Sequence, residues 1–239
     1  MLPLFLLLFY NKSMLVKSKA YLELSKIFNG HGYQLFLVGG TVRDILLNIP
    51  LDDMDVVTDA TPDEMKAFID GDYTFSKMGS VKYTFQDIKF DITTLRKEKC
   101  YSDYRHPTEV VFVRDLKTDH YRRDFTINAM YMNNHFELID FENGEEDLNK
   151  RILRMVGNPL KRLKEDPLRI LRAIRFSLTY DFTFDPDLEN ALISSIKFLD
   201  KISKDKIKME FKKFKNIEKD KLDEMLEKYS IKHLKDVIE

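Results

Sequence analysis

The sequence predicts an α+β fold that gives way to an all-helical second half. Three observations carry this. Up to about residue 114 the apolar residues fall in short runs and alternations, the spacing of strands, with helical stretches between them. After Gly157 they recur three and four apart in a Lys-rich background, the spacing of amphipathic helices. Around Asp140 to Gly157, where Gly144, Gly157 and Pro159 cluster, one pattern replaces the other.

The elements follow in order. Leu2 to Tyr10 is apolar but far shorter than the roughly 20 residues a membrane span needs. Nothing basic precedes it and no run of small residues follows, so it does not read as a signal peptide. The first thirteen residues are expected to be a disordered or misassigned start, and the chain to be cytoplasmic without a membrane role. From Met14 onward, Leu15, Tyr21, Leu22, Leu24 and Ile27 mark an amphipathic helix. Gln34 to Val38 reads as a strand closed by Gly39-Gly40, Val42 to Leu47 as a helix, and Asp53 to Val57 as a second strand. Thr61 and Pro62 are the N-cap and first residue of another helix. Val81 to Phe85 and Lys89 to Thr94 form a hairpin pattern, and Val110 to Arg114 another strand.

Composition narrows the function classes. With 44% hydrophobic and 33% charged residues the chain lies outside the disordered class. A net charge of −1 supplies no global positive field, so any RNA contact must come from local Lys and Arg clusters. The single Cys100 excludes an intramolecular disulfide and a multi-cysteine zinc site, and suits a reducing compartment.

Four clusters carry chemistry. Asp53 and Asp55, two apart on a strand, would point to one face. Two adjacent carboxylates repel unless a cation lies between them, and hard oxygen ligands suit Mg²⁺. The plain alternative is a charged strand end. Asp91, between apolar Phe90 and Ile92, could add a third carboxylate or be a solvated strand residue. Gly39-Gly40 makes a turn whose bare backbone can also approach phosphates, with Arg43 reaching the same anion. Arg122-Arg123-Asp124 is either a surface ion-pair patch or a grip on phosphate and ribose. Asp166 precedes Pro167 as a helix cap, and Arg169, Arg172 and Arg175 recur on one face of that helix. Three arginines in line repel one another unless an anion, such as a polyphosphate or an RNA end, answers them.

Together these clusters resemble the class II tRNA nucleotidyltransferases, the bacterial and eukaryotic CCA-adding enzymes and their poly(A) polymerase relatives. The resemblance runs through LFLVGGTVRDILL, LDDMDVVTDATPDEM, FDITTLRKEKCYSDYRHPTEVVFV, RRDFTINAM, LIDFENGEEDL, VGNPLKRLKEDPLRILRAIRF and, more weakly, ISKDKIKMEF. It covers Gly32 to Phe211 in the family's order.

The resemblance implies a polymerase-beta-like nucleotidyltransferase head with a mixed sheet over residues 14–140. A helical neck with a base-recognition helix would take 141–195, and a short helical body 196–239, without a tail domain. It implies catalytic metals on Asp53 and Asp55 with Asp91 beside them, Mg²⁺ as cofactor, and triphosphate contacts from Gly40 and Arg43. Sugar contacts would fall to Arg123 and Asp124, and template-independent reading of the incoming base to Asp166 and Arg169. Arg172 and Arg175 would extend the site toward phosphates. The expected reaction is addition of CMP and AMP from CTP and ATP to the 3′ end of tRNA. A partner protein or oligomer would supply the tRNA-anchoring surface. The alternatives are a poly(A) polymerase and a head domain that only binds nucleotide or RNA. Against the former, Phe75 to Phe85 lacks the Gly-Arg-x-Phe-x-Leu-like run of those relatives. Two departures stand out: Tyr104 where the family has Gly, and Asp119-His120 where it has Asp-Leu.

Overall fold

A computed structural model describes residues 12–101, 107–214 and 217–237. Tyr104 and the readings on the first eleven residues lie outside that set. The described residues form two compact units. The first takes 12–98, 110–123 and 127–144; the second takes 99–101, 107–109, 124–126 and everything from 145 onward. Residues expected as neck and body fall in the second unit together, apart from 141–144.

In the first unit, helix α1 (Lys12–Gly30) leads into β1 (Leu35–Val38), α2 (Gly40–Leu46), β2 (Met54–Thr58) and the short α3 (Pro62–Met65). The hairpin strands β3 (Ser80–Phe85) and β4 (Ile88–Thr94) follow. A ribbon of β5 (Arg96–Tyr101) and β6 (Pro107–Phe112), of which 99–101 and 107–109 count with the second unit, comes next, then α4 (Leu116–Asp119), β7 (Tyr131–Met132) and β8 (Leu138–Ile139). Six strands make one mixed sheet in the order β3-β4-β2-β1-β7-β8. Only β2 and β4 run parallel within it.

Local chemistry explains the joints. Thr61 and Glu64 close a capping box, with Pro62 in the first turn, so the crossover from β2 begins on a defined helix start. Gln86 and Asp87 both adopt left-handed backbone (φ 51° and 60°). That pair of conformations turns a two-residue hairpin with the twist its strands require. Alternation does the rest. Val81, Phe90, Ile92, Met54 and Val56 are buried on one face of β3, β4 and β2, while Lys82, Lys89, Asp91 and Asp55 take the other. Tyr21 ties α1 to the sheet, its hydroxyl donating to the Leu35 carbonyl at 2.9 Å. Val38, Val57, Leu95 and Tyr131 form a buried cluster at the sheet's centre.

In the second unit, α5 (Gly144–Asn149) and β9 (Ile152–Leu153) precede α6 (Pro159–Glu165), capped by Asn158, and α7 (Leu168–Tyr180). Helix α7 buries Leu168, Ile170, Leu171, Ile174 and Phe176, the residues its spacing predicts. The chain then forms β10 (Thr183–Phe184), α8 (Pro186–Ser195), α9 (Lys204–Phe211) and α10 (Lys219–Lys228). Strand β10 corrects the expectation of uninterrupted helix after Gly157. Asp181 adopts φ 56° at the end of α7, and Thr183-Phe184 then pairs in parallel with β9. A two-residue strand has no periodicity to read. Among the described residues no helix is long and apolar enough to cross a membrane.

Candidate active site

The parallel register of β2 and β4 sets Asp55 directly beside Asp91 on the open face of the sheet. Water reaches the Asp55 side chain, but the protein packed around it disfavours its charge. With Asp91 alongside, the Asp55 carboxyl is pushed up to about 6, against the pull of Arg123 and Arg43. Asp53 is placed differently from the expectation. It lies in the bend that leads into β2, one residue before the strand begins. It is exposed, and with Asp91 lines an open cavity of about 510 Å³.

Among the described residues no three His, Cys, Asp or Glu side chains gather as a closed metal cage. Two carboxylates side by side, with Asp91 raising the proton affinity of Asp55, nevertheless fit Mg²⁺. That ion commonly takes one or two protein carboxylates and fills its remaining positions with water and substrate phosphate.

Next to Asp55 the backbone is bare for a reason. Gly39 has φ 62° and ψ −125°, a conformation that side-chain-bearing residues avoid. A β-carbon on Gly40 would lie 3.4 Å from Arg43 Nη2 and 3.6 Å from Asp55 Oδ2. The glycine pair therefore brings one guanidinium and one carboxylate close to the turn. Arg43 itself is buried and engaged within the fold. Its Nε and Nη2 donate to Asp44 at 2.9 Å, and its Nη1 to Asn128 Oδ1 at 2.7 Å. Asp55 is anchored from behind, its backbone N–H donating to Thr41 Oγ1 at 2.8 Å.

Arg123 approaches the same turn; its Nη1 would stand 3.5 Å from a β-carbon on Gly39. It is held by Asp119, the residue that keeps the family's Asp where His120 departs from its Leu. Asp119 is fully buried and accepts from Arg123 Nη2 at 2.9 Å, Arg122 Nε at 2.8 Å, the Tyr131 hydroxyl at 2.8 Å and the Arg96 backbone N–H at 3.0 Å. Burial opposes the Asp119 charge, but Arg122 and Arg123 overcome it and hold the carboxyl far below the usual range. Tyr131 adds its ring beneath Arg123, 5.0 Å from the guanidinium carbon. Only the Asp-Leu preference of the resemblance pointed toward Asp119, and it marked the residue without a role.

The remaining predicted residues belong to the second unit. Asp124 is buried and pairs through Oδ2 with Arg172, whose Nε donates at 2.7 Å. Arg175 donates through Nε to Glu210 at 2.9 Å and lies over the Phe176 ring at 4.3 Å. Arg169 is buried, donates to the Arg162 carbonyl at 2.8 Å and stands 3.5 Å from Glu165. The arginine row is therefore answered by carboxylates of the fold itself, and repulsion along it is no argument for a bound anion. Asp166, at the junction of α6 and α7, accepts from the Leu168 N–H at 3.1 Å, the capping role its position suggests.

Residues 35–154 match the poly A polymerase head domain family. The CCA-adding enzyme of Staphylococcus epidermidis is 42% identical over 191 residues, 80% of this chain and 48% of that protein. The CCA-adding enzyme of Geobacillus thermodenitrificans is 40% identical over 186 residues, 77% of this chain and 46% of its own length. Among solved structures, the Bacillus stearothermophilus CCA-adding enzyme in complex with CTP superposes with a TM-score of 0.81 at 32% identity, covering 92% of this chain and 57% of that one. The Thermotoga maritima CCA-adding enzyme complexed with tRNA gives 0.72 at 26% identity, covering 89% and 50%. The chain spans about half the length of the curated relatives it matches. By its sheet, its carboxylate site and the half of its length that this match spans, the chain belongs to the poly A polymerase head domain family.

Proposed function

We propose that this chain carries the catalytic chemistry of a CCA-adding tRNA nucleotidyltransferase, transferring CMP and AMP from CTP and ATP to the 3′ end of tRNA. The observation that carries the reading is the in-register pair Asp55 and Asp91, set beside Gly39-Gly40 and Arg123. In the reaction the RNA 3′-oxygen attacks the α-phosphorus and loses its proton, the bond to the β-phosphate oxygen breaks, and pyrophosphate leaves. Mg²⁺ held by Asp53 and Asp55, with Asp91 beside them, would supply positive charge at the reacting phosphoryl oxygens.

The chain's own residues supply position. Gly39 and Gly40 let a triphosphate approach the backbone, and Arg123, fixed by Asp119 and Tyr131, offers a pre-aimed guanidinium. Arg43 keeps the turn in place through Asp44 and Asn128. Asp166 and Arg169 at the start of α7 are the base readers. A carboxylate accepts from the exocyclic amine that cytosine and adenine share, and UTP has none to offer. Asp124 and Arg172 form a pair that serves the sugar, and Arg175 braces α7 through Glu210. The solved relatives, one in complex with CTP and the other with tRNA, support both substrates. The test is incubation of purified protein and Mg²⁺ with tRNA ending before CCA, in CTP, ATP or both. Addition of two C and one A with both nucleotides supports the reading; no incorporation in any mixture overturns it.

A further inference from the structure

Helix α1 packs through a stripe of apolar residues: Met14, Tyr21, Leu24 and Phe28 are all buried. The same run of three- and four-residue steps passes through position 17, where the chain has a lysine. An ammonium on the packed side of a helix is costly unless oxygen acceptors meet it. Lys17 is half-buried, and its acceptors are two consecutive backbone carbonyls, 34 and 35 residues further along the chain. Its Nζ donates to the Leu51 carbonyl and, at 3.0 Å, to the Asp52 carbonyl.

These carbonyls belong to the bend that carries Asp53. Leu51 is buried, Asp52 and Asp53 are exposed, and Met54, the first residue of β2, is buried again. Asp55 is fixed by strand pairing against Asp91 and by its N–H on Thr41 Oγ1. Asp55 therefore takes its place from the sheet, whereas Asp53 takes its place from the path of the bend. A carboxylate on a loose backbone must lose that freedom when an ion binds, and the loss weakens the binding. One ammonium held by two successive carbonyls removes the freedom beforehand.

We propose that Lys17 is a positioning residue for the metal site: it fixes the Leu51–Asp52 bend and so holds the Asp53 carboxylate where it can share a divalent cation with Asp55. The proposal rests on the nucleotidyltransferase reading for the use made of that ion. Charge and position predict opposite signs. A positive charge beside a cation site repels the ion, so if charge alone mattered, Lys17→Met would tighten metal binding. Loss of the hold on the bend weakens it instead, and groups that support metal ligands contribute about 10- to 100-fold in affinity.

The experiment uses the full chain as wild type, Lys17→Met, Lys17→Gln, Lys17→Arg, Asp53→Ala and the combination of Lys17→Met with Asp53→Ala. Mn²⁺ binding is titrated without nucleotide by the electron paramagnetic resonance of the free ion, and melting temperatures are taken in EDTA. The Mg²⁺ dependence of CMP incorporation is measured alongside KM for tRNA. Lys17→Met should weaken Mn²⁺ binding about 10-fold and raise the half-saturating Mg²⁺ by a similar factor, with KM for tRNA unchanged. Lys17→Arg, whose forked donors can also meet two carbonyls, should recover most of the affinity, and Lys17→Gln only part of it. With Asp53→Ala already present, Lys17→Met should have no further effect, because it acts through Asp53. Unchanged or tighter Mn²⁺ binding in Lys17→Met overturns the proposal, whatever its melting temperature, and so does an equal loss with Asp53 absent. Should Lys17→Met fail to fold, the Gln and Arg variants decide by the same outcomes. A wild type that binds Mn²⁺ but incorporates nothing refutes the reaction instead, and the Mn²⁺ comparison still decides the role of Lys17.

Discussion

Replacing Asp119 by Asn keeps the side chain's size and removes one negative charge from a buried network. Around Asp119 stand Arg96, Arg122 and Arg123, and Glu98 supplies a second carboxylate, 2.7 Å from Arg96 and 3.9 Å from Arg122. In the variant three guanidiniums face one carboxylate, and Asn cannot accept as a carboxylate from four donors at once. Stranding buried charge in this way costs about 3–5 kcal/mol. At ~2–4 °C per kcal/mol for a protein of this size, the melting temperature should drop by roughly 6–20 °C. The pH dependence supplies an independent signature. The folded Asp119 carboxyl titrates below its unfolded value of about 3.9. Its contribution is thus complete above that value and is lost as pH falls through the folded one. Wild-type and Asp119→Asn melting temperatures should differ most above about pH 5 and converge in stronger acid. Differential scanning fluorimetry from pH 3 to 8 reads both. A drop smaller than about 2 °C at neutral pH, or a gap that does not narrow in acid, would refute the view that Asp119 holds Arg122 and Arg123 as an ionised anchor.

Asp53→Ala or Asp55→Ala should abolish incorporation and leave the melting curve near that of the wild type, since both side chains are exposed and serve the reaction more than the core; near-normal turnover in either would remove that residue from the catalytic set. Asp166→Ala should relax discrimination against UTP in a competition assay, along with about 1 kcal/mol of lost capping, whereas lost stability with unchanged CTP-to-UTP selectivity would leave Asp166 a helix cap alone. Arg169→Ala should slow CTP and ATP alike. A tRNA ending in CC should gain a single A when ATP is the only nucleotide; a stall after two C with ATP present would make the chain a C-adding enzyme.

Much of the architecture was legible because short-range physics writes it. Thr61-Pro62 opens a helix through a cap and a fixed φ, the β3–β4 alternation shows as period two, and α7 shows its apolar stripe at period 3.6. Gly39-Gly40 was readable as a turn because few other residues accept that backbone. Which groups meet was another matter. Asp91 reaches Asp55 only because β4 lies parallel against β2 in that register, a pairing made between segments far apart in the chain. The same applies to Asp119 under Arg123 and to Glu210 against Arg175. Arginines that looked unanswered in one dimension find their carboxylates in three, because burying a charge is tolerable only beside its opposite. The sequence by itself determined the elements, the turn and the identity of the acids; the tertiary structure decided which acids stand together, since a one-residue shift between β2 and β4 would turn Asp91 into the core.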